Sequence, residues 1–572
     1  MLNIQDIFNS DDIKLAYFRV KCWSEKNSKD LVGLRAFGNS LDKNCNELSV
    51  KIFNGTWVPS KGFKFFQPKS SGTQRTKTLL FVEDAIVYQA IANKLAQDNY
   101  EQFNENNEFV FGSVLSPEVT KGIDLLKENE PDYFFFLHWG ALYKKFIGSV
   151  RASIETDDSK FRLETDITGF FDSIPHYNLL SLLSERYHVG DDILDLLSDC
   201  LNLWSGTKES MTPGVGIPQG PAPSYFFANL YLHDLDEIII AKVFKYYRYM
   251  DDIKIYWYNK KELNNTLVLI DNHLKGKGLS LNSKKTSIDE LTFESKQHSI
   301  FELEKKLMTQ ISFTDSEFES ISKFGNSPNG FEELSNNLEQ TMDLHEFDHV
   351  HFLETITNRG DIVVAWQEEL EEVTSGLKDC FIDATLETDA LSFKKDVSDN
   401  QLIGYSFRFY KANRALKDLA EEYILDKDLI KLWLCAFEQF YWRASSFGLT
   451  LSLYGPDDTI KKVMTRIATE DAPTYEWLQY QAILQLSINH SFSDKELREV
   501  FFRFLTNESS ALVRLGLYRL LFRHGEKTLI SALKKALQKE PVHYLKIQVA
   551  DFNKRFSAKE IDMVEFIDFI GI

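Results

Sequence analysis

Two adjacent carboxylates, Asp251 and Asp252, follow Tyr249 and Met250 in what reads as the tip of an aromatic β-hairpin, and a third, Asp166, ends another strand-like segment far upstream. Convergent carboxylates of this kind hold catalytic metal ions. Adjacent like charges at a turn are costly unless a cation neutralises them, and an all-oxygen donor set suits Mg²⁺ or Mn²⁺ rather than Zn²⁺. The chemistry that fits is phosphoryl transfer, with two metals about 3.5–4 Å apart.

The elements that must position these acids are visible in the periodicity. Tyr246 and Arg248 alternate with Lys245, Tyr247 and Tyr249, and Ile253, Ile255 and Trp257 resume the two-residue period beyond the acids. Leu163, Thr165 and Ile167 alternate with Arg162, Glu164 and Asp166, a half-buried strand whose polar face ends in Asp166. If the two segments are sheet neighbours, the three acids meet. Asp172 or Ser173 is then expected to cap a helix with Pro175 in its first turn and Leu179, Leu180, Leu182 and Leu183 on its inner face.

Other segments carry chemistry of their own. Lys69 and Arg75 flank a Pro- and Gly-punctuated turn and suit a triphosphate, the arginine as a planar fork and the lysine as a point charge. Lys77 is read as a solvated loop lysine. The glycines from Gly214 to Gly220 make a loop whose backbone can approach a base pair or phosphate closely. That loop feeds a helix with Leu232, Leu235 and Ile239 on one face. Phe170 and Phe171 read by themselves as core aromatics, and Ser224 and Asn229 as structural.

Taken in order, PKSSGTQR at residues 68–75, TDITGFFDSI at 165–174, GIPQGPAPSYFFAN at 216–229, Tyr249-Met250-Asp251-Asp252, and GLSLNSKKT at 278–286 resemble the fingers and palm of reverse transcriptases. The resemblance covers roughly residues 50–290. It implies that Asp166, Asp251 and Asp252 are catalytic and bind Mg²⁺ or Mn²⁺, and that Lys69, Arg75, Phe171, Gln219 and Gly220 bind the incoming nucleotide. Phe171 would then be the steric gate against a ribose 2′-hydroxyl. Lys285 matches a position proposed to protonate the departing pyrophosphate, while Lys284 is read as a bystander. Phe227 stands where leucine is usual.

The chain has 572 residues, enough for several domains. The expected class is α+β: fingers and palm over residues 1–305, a linker or irregular segment over 306–345, and an all-α region over 346–572. Ser493 with Glu496 is a capping box, Gly525 a helix stop, and Val513, Leu517 and Leu520 keep helical spacing. Successive short helices there resemble a HEAT-type repeat array. Arg519 and His524 have the Arg-x4-His spacing of a class of helical ribonucleases, but they also fit the solvated edge of a repeat helix in the run Leu512 to His524, which is the reading preferred.

The net charge of −20 argues against non-specific coating of duplex nucleic acid, so nucleic acid must bind in a local basic channel. The acidic helical half suits protein contacts or self-association. Five scattered cysteines without paired metal spacing fit a reducing cytoplasm, and a membrane span is not expected. No zinc-finger or endonuclease-like segment and no retron signatures are found, and Ser299–Leu303 departs from the usual thumb-entry motif. A compact palm joined directly to a long helical C-terminal half resembles instead the bacterial abortive-infection and defence-associated reverse transcriptases. That implies DNA synthesis from dNTPs in antiphage defence, either templated by a partner noncoding RNA or untemplated and primed from a protein tyrosine. The alternative is a catalytically idle RNA-binding scaffold with a phage-sensing helical half.

Overall fold

A computed structural model describes residues 1–27, 31–122, 135–156, 159–206, 213–242, 245–310, 381–383, 391–393, 427–453, 457–471, 473–505 and 509–557. The chain divides into two compact units. The first holds Met1–Phe65 and Thr76–Leu307; the second holds Phe66–Arg75 and the described residues beyond Met308.

The described elements used below, in chain order, are α1 (Ser10–Asn27), β1 (Phe63–Pro68), β2 (Gln74–Leu79), α2 (Val82–Asp98), α3 (Trp139–Glu155), β3 (Phe161–Asp166), α4 (His176–Tyr187), α5 (Asp191–Trp204), α6 (Ala222–Ile240), β4 (Tyr246–Tyr249), β5 (Asp252–Trp257), α7 (Lys260–Gly276), β6 (Ser287–Glu290) and α8 (Phe293–Gln310). Strands β1 and β2 form a two-stranded hairpin. The central sheet has four strands in the order β4-β5-β3-β6, all neighbours antiparallel.

Alternation along the strands builds the core. Tyr246, Leu163, Ile253 and Ile255 are fully buried on one side of the sheet, in a single cluster with Leu232, Leu235 and Ile239 of α6 and Leu263, Ile270 and Leu274 of α7. On the other side, Tyr256 packs with Phe111 and with Phe146, Ile147 and Val150 of α3. Each fully buried aliphatic or aromatic side chain stabilises the unit by about 1.5–3 kcal/mol relative to exposure, so the sheet's position is fixed from both faces.

The helix after Asp166 begins later than its sequence indicates. Phe170–Ser173 forms a separate short helix entered through Gly169 at φ 53°, and α4 starts at His176 with Pro175 in the N-cap place, without a side-chain cap. Asp172 and Ser173 therefore do not cap α4. Leu179 and Leu183 face the core fully buried, with Leu180 and Leu182 partly buried against it. Helix α8 runs from Phe293 to Gln310, through the boundary expected at 305; residues 311–345 of the expected linker lie outside the described residues.

In the second unit, the longer described helices are α9 (Lys427–Gln439), α10 (Ala444–Leu453), α11 (Asp458–Ala468), α12 (Glu476–Asn489), α13 (Ala511–His524), α14 (Lys527–Gln538) and α15 (His543–Ser557). Helix α12 packs against α10, α11 and α13, and α13 against α14 and α15. The region is not purely helical, since Phe381–Asp383 pairs antiparallel with Leu391–Phe393. The Ser493–Glu496 capping box is present, α13 ends at Gly525, and Arg514 forms a buried two-pronged ion pair with Glu540 at 3.0 and 2.8 Å. Also in this unit, the Tyr475 hydroxyl donates to the Gly72 carbonyl at 3.0 Å. Among the described residues, no helix is long and apolar enough to cross a membrane.

Candidate active site

The register of β3 against β5 sets Asp166 directly opposite Asp252, with Glu164 opposite Lys254 one step along the same face. Met250 turns the chain between β4 and β5 in the left-handed region, at φ 55°, which costs a non-glycine residue about 1 kcal/mol or more. Asp251 follows in that turn, beside Asp252. Burial, then the neighbouring Asp166 and Asp252 charges, push the Asp251 carboxyl above the usual carboxylate range, with Lys285 opposing.

Asp166 is gripped from the loop before β6. Its carbonyl accepts from Asn282 N at 2.7 Å, and its carboxylate meets Lys285 Nζ at 3.1 Å and Asn282 Nδ2 at 3.4 Å. Lys285 is more than half exposed, and Lys284 is exposed beside it. Lys254 is nearly buried and sits 2.7 Å from Glu164 and 3.8 Å from Asp252, so Glu164 takes most of its charge.

Three carboxylates thus neighbour one another, each a hard-oxygen donor, although their ligand atoms do not all lie within 4.8 Å of one another. This set fits Mg²⁺ or Mn²⁺. Among the described residues, the trio that does bring ligand-type atoms within 4.8 Å of one another is Glu105, His233 and Glu237, but Arg186 hydrogen-bonds both Glu237 and His233 there and supplies the positive charge.

The remaining sequence-derived candidates fall in two places. In the first unit, Phe171 is 9 % exposed, set edge-on to Tyr225 at 5.1 Å and to Phe170 at 5.8 Å. Its carbonyl accepts from Ile217 N at 2.8 Å, tying it to the Gly-rich loop. The Gln219 carbonyl accepts from Thr78 N at 2.9 Å, and the Gly220 carbonyl from Trp23 Nε1 at 2.9 Å. Gly220 has φ 146°, and a Cβ there would lie 2.9 Å from the Thr78 carbonyl oxygen, so glycine is required. Phe227 is fully buried and stacked on Tyr88, which accommodates the departure from leucine. Lys69 and Arg75 fall in the second unit, exposed on the β1–β2 turn closed by Lys69 N donating to the Thr73 carbonyl at 2.7 Å.

Lys254 was missed by sequence reasoning, although its place two residues after Asp252 puts it on the acid face. Also missed was a buried polar network behind the acids, built from Arg248, Asp236 and Asn229. Asn229 and Ser224 prove structural, the latter donating to the Tyr88 hydroxyl at 3.2 Å. Arg519 is 3 % exposed and donates to the Tyr480 hydroxyl, while a His524 ring nitrogen meets the Ser487 carbonyl at 3.0 Å. Both side chains are used in helix packing, so they do not lie on the solvated helix edge expected from the sequence, because Arg519 and His524 meet the neighbouring helix instead of solvent.

Comparison with known proteins agrees with the geometry. Residues 67–300 match the family model described as reverse transcriptase (RNA-dependent DNA polymerase), so this segment is a reverse transcriptase domain, a nucleotidyltransferase by class. The chain is also similar to an uncharacterised 91 kDa protein in a cob intron of Schizosaccharomyces pombe, at 41 % identity over 78 residues. That alignment covers 14 % of this chain and spans only 10 % of the relative's length.

Proposed function

We propose that the chain is a metal-dependent DNA polymerase of the reverse-transcriptase type that transfers deoxynucleotides to a growing DNA 3′ end. The observation that carries this reading is the β3–β5 register, with Asp166 opposite Asp252 and Asp251 next to it in the turn, within reach of both charges. In the reaction, the primer 3′-oxygen bonds to the α-phosphorus of a dNTP, the bond to the β-phosphate oxygen breaks, and pyrophosphate leaves. Bound Mg²⁺ or Mn²⁺ would supply Lewis acidity at both oxygens. Asp166, Asp251 and Asp252 would hold the ions. Lys285, an ammonium 3.1 Å from Asp166, passes a proton to the leaving pyrophosphate. Phe171 packs against the deoxyribose, Gln219 and Gly220 border the base pair, and Lys69 and Arg75 bind the triphosphate.

The wider role we propose is antiphage defence in the cytoplasm. A reverse transcriptase domain continues into a long helical half, read as a HEAT-like array, and the buried Cys45 and Cys200 are free thiols. The template is a partner noncoding RNA, or synthesis is untemplated and starts on a protein tyrosine. The purified chain given Mg²⁺ or Mn²⁺ and labelled dNTPs should incorporate nucleotide, and Asp251→Asn should abolish incorporation. Equal incorporation by the variant would refute the metal-site assignment. Sequencing the nucleic acid that co-purifies, with and without protease, separates the modes of synthesis. Phage plating on cells carrying the wild type or Asp166→Ala with Asp251→Ala tests defence: protection that survives the double substitution rejects the catalytic role.

A further inference from the structure

The β4–β5 turn rests on an arginine that sequence patterning places on the wrong side of the sheet. Arg248 shares its strand face with Tyr246, the core-facing side, and is 1 % exposed. A buried guanidinium persists only when nearly all its donors are matched. Here Nε and Nη2 fork onto the two Asp236 oxygens at 2.7 and 2.5 Å, while Nη1 donates to Asn229 Oδ1 at 2.9 Å and to the Met250 carbonyl at 2.8 Å. Asn229 and Asp236 lie seven residues apart on α6, two turns along one helical face, which is why both reach the same arginine.

The turn is held from a second direction. Arg248 pairs through its backbone with the segment before α3, donating to the Phe109 carbonyl at 2.8 Å and accepting from Phe111 N at 2.9 Å. Gly112 follows, and a Cβ there would stand 2.5 Å from Met250 N and 2.9 Å from Met250 Cγ. Asn229 Nδ2 donates to the Gly112 carbonyl, closing the circuit. Ser113, like Met250, is in the left-handed region at φ 55°, and its hydroxyl meets the Met250 sulfur at 3.4 Å.

We propose that Arg248 is a positioning residue: with Asp236, Asn229 and the Gly112 backbone, it clamps the Met250 carbonyl and so holds the strained turn that aims Asp251 at the metal-binding point. The inference rests on the proposed metal site and adds what keeps its ligands in place. A bond to a single carbonyl matters because Met250 and Asp251 are consecutive. Rotation of the peptide between them moves the Asp251 carboxylate without disturbing β4 or β5.

Two variants attack the brace independently. Arg248→Met combined with Asp236→Leu removes both buried charges together, an exchange that buried pairs often tolerate without loss of stability. Gly112→Ala leaves the ion pair intact and pushes directly on Met250 N. Mn²⁺ binding is read by electron paramagnetic resonance with a dideoxy-terminated primer–template and dNTP, beside thermal melts, and kcat and KM are measured on an extendable primer. Asp251→Asn is the reference. Folded variants should bind Mn²⁺ about 10- to 100-fold more weakly, with kcat reduced and the KM for dNTP little changed. Wild-type Mn²⁺ affinity in the folded variants, with weakened binding in Asp251→Asn, overturns the brace alone. Wild-type affinity in Asp251→Asn overturns the metal-site reading, and the brace with it. Should the double variant fail to fold, Gly112→Ala decides.

Discussion

Replacing Asp84 with asparagine should stabilise the fingers near neutral pH and not in acid. Asp84 lies in the first turn of α2, is 3 % exposed, and accepts from Ser60 N at 2.9 Å. Burial above all pushes its pKa up from 3.8 to about 7, with the Glu83 charge adding to the rise and the Ser60 hydrogen bond opposing it. Between those values the folded chain binds a proton that the unfolded chain has released, so stability is full below pH 4 and falls as pH rises toward 7. The gap between 3.8 and about 7 corresponds to ~4 kcal/mol. Asparagine keeps an acceptor for Ser60 N–H but never ionises. Since the value of about 7 already contains the Ser60 hydrogen bond, the gain should be up to ~4 kcal/mol at pH 7.5 and close to zero at about pH 3.5, where Asp84 is protonated in both states. Hydrogen-exchange protection of peptides from Val82–Asp98, with urea melts at both pH values, reads this directly. Equal destabilisation by Asp84→Asn at both pH values would refute the reasoning.

Phe171→Ala should lower the dNTP-over-rNTP ratio of kcat/KM about tenfold or more, at a stability cost of about 3 kcal/mol for the lost ring; an unchanged ratio removes Phe171 as the gate. Lys285→Ala breaks an ion pair whose lysine is 62 % exposed, so stability should change by less than ~1 kcal/mol while single-turnover incorporation falls about 10²- to 10⁴-fold. Normal incorporation by that variant would rule out the proton-donor role. In the second unit, burial holds the His524 imidazole at about 4 against an ordinary 6.5, so the contribution of neutral His524 is complete above pH 6.5 and lost as pH falls toward 4. His524→Gln should flatten this acid loss by up to ~3 kcal/mol, read as exchange protection in Ala511–His524; an identical acid profile would show that His524 is not responsible.

What the sequence disclosed about the site is what local periodicity encodes. The alternation around Tyr246–Tyr249 and Ile253–Trp257 locates the hairpin, and the polar face of Phe161–Asp166 ends where the structure pairs it with Asp252. The fingertip turn was equally plain from Pro68, Lys69 and Gly72. Helix starts were less legible: the Asp172-Ser173 pair looks like a cap, but the short helix at Phe170–Ser173 uses those residues, and Pro175 takes the N-cap place of α4. The partners of buried charges were not legible at all. Arg248 on a core-facing strand position announces that some acid must meet it. That the acid is Asp236, with Asn229 beside it, depends on how α6 crosses the sheet, which no local pattern contains. The burial of Asp84 is hidden for the same reason.

The site concentrates unfavourable local choices within a few residues: a left-handed methionine, two adjacent carboxylates with a third opposite, and an arginine sealed in the core. Each would be selected against in a sheet that had only to be stable. Together they have a common consequence, because the acids are held near one another before any cation arrives. A flexible turn would let Asp251 swing away from Asp166 and relieve the repulsion, and a metal would then have to draw the ligands together at the expense of its own binding. With the turn fixed by Arg248 and Gly112, the repulsion remains in the metal-free protein and is relieved on metal binding. Charge frustration in the sheet and metal affinity at its tip are therefore two sides of one arrangement. A substitution that relaxes the first should weaken the second.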